Sequence, residues 1–130
     1  MAFNLLGDVV RFEGYLLKEK DDDAFFLVLD GTRRHIPDPP TFISLFGTSG
    51  VDEVLDIDSI PKADHPLDSL TPGAVLVRAE GTDPIYLVSN GVKRHITSPE
   101  AINKYHFHGS GVPLPSVAVN SIPVGDPINA

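Results

Sequence analysis

The chain has 130 residues, 42% of them hydrophobic and 22% charged, which supplies enough apolar material for a packed core and excludes a disordered chain. A net charge of −8 sets it against phosphate backbones and anionic bilayers, so neither nucleic acid nor a membrane surface is expected as a partner. The absence of cysteine excludes disulfides and thiolate metal sites.

Residues 1–8 carry no basic region and no long apolar run. No signal peptide and no membrane insertion are therefore expected, and the localisation reads as cytoplasmic or exported by a non-classical route. The first strand is predicted at residues 15–19, followed by a polar break at 20–23. Residues 25–29 and 32–36 then read as a hairpin around Asp30-Gly31, because a type I′ turn needs positive φ at both central residues. Asp38, Pro39 and Pro40 open a short helix whose apolar stripe is Phe42, Ile43, Leu45 and Phe46 and which Gly47 closes. A last strand is predicted at 54–57, ending at Ile60-Pro61.

The same order then recurs. Residues 25–40 and 85–100 are identical at seven of sixteen positions at an offset of sixty, where about one match is expected by chance. The second copy has strands at 74–79, 85–89 and 92–96, with Asn90-Gly91 at the hairpin. Ser98 caps a helix that begins at Pro99 and is closed by Gly109, and a last strand is predicted at 117–119. Downstream the offset becomes sixty-two (Ile60-Pro61 against Ile122-Pro123), and the two added residues are assigned to 106–111. The expected fold is β-rich α+β: two tandem β-β-β-α-β repeats, about 11–67 and 70–128, packed about a pseudo-two-fold. One such unit buries too little surface to stand alone, so residues 1–130 are read as a single domain with a shared core.

Tyr86–Glu100, Y-L-V-x-N-G-x-K-R-H-I-x-S-P-E, resembles a short tandem repeat found in bacterial envelope and secreted proteins, where it accompanies cell-wall-active or surface domains. The resemblance covers most of each copy. It implies a non-catalytic accessory or adhesion module that binds glycan. Copy one departs from the motif at Pro40 and Leu29, so its site is expected to be the weaker.

Strand alternation sorts the candidate residues. With a two-residue turn, Tyr86 lies opposite His95 and Leu87 opposite Arg94. Arg34 and Arg94 then share a face with large apolar side chains, where a guanidinium must be paired, either internally or by a ligand. The opposite face carries Tyr86, Lys93 and His95 in copy two, and Phe26, Arg33 and His35 in copy one. There an aromatic ring flanked by donors could stack on a sugar, or could form an ordinary cross-strand pair. The ligand-binding set is therefore Tyr86, Asn90, Lys93, Arg94 and His95, with Phe26, Asp30, Arg33, Arg34 and His35.

No metal site or cofactor is expected. His106 and His108 are weak candidates, since H-x-H on a strand would put both rings on one face. G-x-S-x-G, H-E-x-x-H and Walker A motifs are absent, so no enzyme is expected. The reading is a non-enzymatic, lectin-like binding module for a glycan surface. The alternative is a protein-interaction or homo-oligomerising scaffold pairing through an edge strand at 15–19, and a metal-dependent enzyme using the histidines is a further rival.

Overall fold

The computed structural model describes residues 12–64 and 68–130. Copy one runs β1 (Leu16–Glu19), β2 (Phe25–Leu29), β3 (Thr32–His35), α1 (Pro39–Phe46) and β4 (Asp52–Val54), then a 3-10 turn at Ile57–Ser59. Copy two runs β5 (Val75–Ala79), β6 (Ile85–Ser89), β7 (Val92–Ile96), α2 (Pro99–Lys104), β8 (Val112–Leu114) and α3 (Ser116–Asn120). Two four-stranded sheets result, ordered β3-β2-β1-β4 and β7-β6-β5-β8. This is the β-rich α+β repeat that the offset of sixty predicts.

Local chemistry fixes each element. The hairpin turns place Asp30 and Gly31 at φ 57° and 73°, and Asn90 and Gly91 at 56° and 79°. That is the conformation these dipeptides tolerate best. The turns set the register, Tyr86 opposite His95 and Leu87 opposite Arg94, with Phe26–His35 and Leu27–Arg34 as equivalents. Asp38 caps α1 by accepting from Thr41 N at 2.8 Å, and Ser98 caps α2 by accepting from Ala101 N at 3.1 Å.

Leu27 and Leu29 meet Leu76, Leu87 and Ile96 from the other copy in one cluster, together with Leu45, Phe46, Tyr105 and Phe107. Phe46 and Phe107 stack across the copies with ring centroids 5.8 Å apart. Each such side chain contributes about 1.5–3 kcal/mol on burial. Neither copy could gather this cluster alone. Backbone contacts reinforce the join: His108 N donates to Leu45 O at 2.8 Å, and Gly73 N to Thr41 Oγ1 at 3.0 Å. A smaller cluster of Phe12, Leu17, Val28, Ile57 and Ile60 lies on the other face of the first sheet.

Several expectations are corrected. The closing strands lie earlier, at β4 and β8, while the segments expected to be strands hold the 3-10 turn and α3. There Ser59 Oγ and Ser121 Oγ donate to the carbonyls of Asp56 and Ala118 (2.8 and 2.7 Å), local bonds that compete with a ladder. β4 and β8 pair with β1 and β5 at an offset still of sixty, so the two extra residues of copy two follow β8 and enlarge the 3-10 turn into α3. Helix α2 ends at Lys104 with Tyr105 as its C-cap and His106 turning at φ 60°, so Gly109, expected to close it, lies four residues past the cap. Ile43, assigned to the buried stripe of α1, is 62% exposed, and Thr41 is buried in its stead.

The strand offered as an open edge, β1, is central, with β2 on one side and β4 on the other. The outer edges of β3 and β7 are covered by the chain that trails each copy: Arg33 N donates to Pro61 O and Lys93 N to Pro123 O, both at 2.8 Å. The edges left are the three-residue β4, with Asp52 and Glu53, and β8, with Pro113. Charge and proline there oppose strand addition. Among the described residues no helix is long and apolar enough to cross a membrane.

Candidate functional site

The ten candidate residues separate into three places. The first is a crevice of about 250 Å³ between the copies, lined by Asp30, Arg34, Asn90 and Arg94 with Leu70 and Leu87 beneath. Both arginines converge on one carboxylate. Arg94 Nη1 lies 2.8 Å from Asp30 Oδ2 and its Nη2 donates to Oδ1 at 3.1 Å, while Arg34 Nη2 donates to Oδ2 at 3.2 Å. Arg94 Nε donates to Asp126 O at 2.7 Å, and Arg34 Nε to Thr32 Oγ1 at 3.0 Å. Burial lowers the pKa of Arg34; Asp30 opposes that shift and Arg94 adds to it. Each arginine is thus held within the protein, the internal pairing that strand alternation allowed.

Copy two has no such carboxylate. Asn90 instead donates from Nδ2 to Ser69 O at 2.9 Å and accepts from Ser89 Oγ at 2.8 Å. Beside the crevice, the Glu13 carboxylate accepts the turn N–H groups of Asp30 (2.9 Å) and Gly31 (2.8 Å), and the hydroxyl of Tyr105. Burial, then the bond to Glu13, raises the Tyr105 pKa well above its ordinary value. Glu13, Tyr105 and Asp126 were not among the expected residues. Position 13 falls outside the matched stretch, and Tyr105 reads as a plain apolar position, so no local pattern marks them.

The second place is the outer face of each hairpin. Phe26 and His35 lie 5.5 Å apart by ring centroids, as Tyr86 and His95 do at 5.4 Å. Arg33 Cζ stands 5.5 Å from the Phe26 ring centre, and Lys93 Nζ 5.1 Å from that of Tyr86. Both cations are buried under the trailing segments. Arg33 Nη1 donates to Ile57 O at 2.5 Å and pairs with Asp58 at 2.9 Å, and Lys93 Nζ donates to Val119 O at 2.8 Å. These donors anchor the segments that close the sheet edges and are not free for a ligand, while the rings of Phe26, His35, Tyr86 and His95 stay half-buried.

The third place is a pair of clefts, one per copy, where the hairpin meets the start of the helix. The copy-one cleft, about 220 Å³, is lined by Asp23, Phe25, His35, Asp38, Pro39 and Phe42. The copy-two cleft, about 360 Å³, is lined by Asp83, Ile85, His95, Ser98, Pro99 and Ile102. Each residue of the second set stands sixty positions after its partner in the first. Apolar walls with a few polar groups at the rim are the usual composition of a small-molecule site. Of the ten candidates only His35 and His95 reach these clefts.

His106 and His108 are not on a strand. His106 has φ 60° in the turn after α2, both imidazoles are exposed, and Phe107 between them is buried in the shared core. Among the described residues no group of three or more His, Cys, Asp or Glu could hold a metal ion. Comparison with family models, with curated proteins and with solved structures finds no match to the chain.

Proposed function

We propose that the protein is a non-catalytic, bivalent glycan-binding module whose two sites are the equivalent clefts. The observation that carries this reading is the duplication: the same positions, sixty apart, line an opening in each copy, although their side chains have diverged. Apolar walls such as Phe25 and Phe42, or Ile85 and Ile102, suit the C–H face of a sugar. The imidazole and the carboxyl or hydroxyl groups at the rim suit its hydroxyls. Two weak sites on one rigid body gain from engaging one polymer or surface together.

The test is a glycan array that includes cell-wall fragments, probed with wild type, His35→Ala, His95→Ala and the double variant, each checked for fold by circular dichroism. The reading expects saturable binding, loss of surface avidity in either single variant, and loss of binding in the double. A folded wild type that binds no glycan would end it.

A further inference from the structure

The two clefts share positions but not chemistry, and the difference is directional. At three lining positions copy one is richer in electrons than copy two. Ile85 and Ile102 become Phe25 and Phe42, whose rings stand 5.6 Å apart at 59°. Ser98 becomes Asp38. At the helix start Glu100 becomes Pro40, so copy one loses both a backbone N–H and a carboxylate there, while the carboxylate gained at Asp38 lines the cleft itself.

The start of α1 therefore offers little to an anion. Pro39 and Pro40 carry no N–H. Thr41 N is taken by Asp38 Oδ1 at 2.8 Å, and Phe42 N by Asp38 O at 3.2 Å. The bonds from Thr41 also lower the pKa of Asp38, which keeps it ionised. What this cleft presents is two aromatic faces, the carboxylates of Asp23 and Asp38, and His35. That combination recognises a cation, and the chain's net charge of −8 steers cations toward it.

We infer that the copy-one cleft selects a protonated amine on its sugar, a de-N-acetylated amino sugar, over the N-acetylated form, while the copy-two cleft does not discriminate. This rests on the glycan reading above. The probes are fully deacetylated and fully N-acetylated chitotetraose, titrated calorimetrically in low and high salt at about pH 5.5, where the amines are protonated and Asp38 is still ionised. The key variant combines Phe25→Ile, Asp38→Ser and Phe42→Ile, which gives copy one the residues of copy two at those three positions. Serine still caps the helix and isoleucine still fills the wall, so the fold is retained.

Wild type is expected to bind the amine form about tenfold more tightly, the combined effect of cation–π and charge-assisted contacts. The margin should shrink in high salt and vanish in the variant. Equal binding of the two oligomers, or a margin that survives in the variant, overturns the inference and leaves the glycan reading standing. If neither oligomer binds, tetramethylammonium chloride separates the failures. NMR shifts confined to Phe25, His35 and Phe42 retain a cation site without a sugar, and no shift removes the cation site as well.

Discussion

Asp30→Asn is the most informative single change, because it isolates charge from backbone. Asparagine takes the same turn conformation in copy two, where Asn90 has φ 56°, so the hairpin loses nothing. What disappears is the carboxylate bonded to both guanidiniums, whose side chains are 11% and 12% exposed. Removing one partner of a fully buried pair costs about 3–5 kcal/mol. A single hydrogen bond to a charged group contributes about 1.5–3 kcal/mol. Asp30 itself is 48% exposed, so water screens part of the interaction, and the neutral amide keeps one acceptor oxygen. The expected loss is about 2 kcal/mol. For 130 residues at about 2.1 cal/mol/K each, that is a fall in Tm of about 7 °C. Urea unfolding should show a lower midpoint at unchanged slope. A double-mutant cycle with Arg94→Gln should return a coupling above about 1 kcal/mol. A loss under about 0.5 kcal/mol with no coupling would mean that solvent satisfies both arginines and that the bridge between copies is ornamental.

Other consequences are equally measurable. Leu45→Ala should cost about 2–5 kcal/mol and lower amide protection in β5–β7 as much as in β1–β3, because its cluster spans both copies; hydrogen exchange that weakens copy one alone would contradict a shared core. Gly14→Ala should be the worse of two glycine changes. Its φ is +88° and a Cβ would stand 2.5 Å from Lys104 O, whereas Gly91→Ala, at φ +79° with nothing within 4 Å, bears only the left-handed backbone cost of about 1 kcal/mol; chemical denaturation of both variants ranks them. Native Tyr105 keeps its proton beyond the ordinary tyrosine value of about 10. Its contribution is therefore intact below pH ~10 and lost as pH rises above it; the alkaline loss of stability should be smaller in Tyr105→Phe. Asn90→Asp should destabilise by about 1–3 kcal/mol, since a carboxylate cannot donate to Ser69 O, and stability should partly return in acid.

What could be read from the sequence was whatever local chemistry decides. The Asp-Gly and Asn-Gly turns, the Asp38 and Ser98 caps and the alternation that puts Arg34 and Arg94 inward all follow from residues a few positions apart, and all are where they were expected. The closing strands were misplaced because the alternation of Val117 and Val119 suits a strand as well as a turn of helix. Only pairing with β1 and β5, thirty-five residues upstream, decides which segment is recruited. The site was harder still. Lys93 looked available until the trailing chain closed over it and Val119 O took its ammonium. The clefts form between a strand end and a helix start, a juxtaposition that no run of residues announces.

The two copies differ in the interactions made where they touch, and there is a physical reason. A residue near the pseudo-two-fold has its own counterpart for a neighbour, so a duplicated aspartate would set two carboxylates near one pair of arginines. The chain keeps one carboxylate, Asp30, and lets it accept from both Arg34 and Arg94. The counterpart is the amide Asn90, which can donate to Ser69 O as no carboxylate can. Both residues satisfy the same turn, and the opposite surroundings then select between them. The clefts lie away from that constraint, at the far ends of the hairpins, and share no lining residue. Their linings are free to diverge without disturbing the join, which is how one repeat can come to hold two sites of the same shape and different charge.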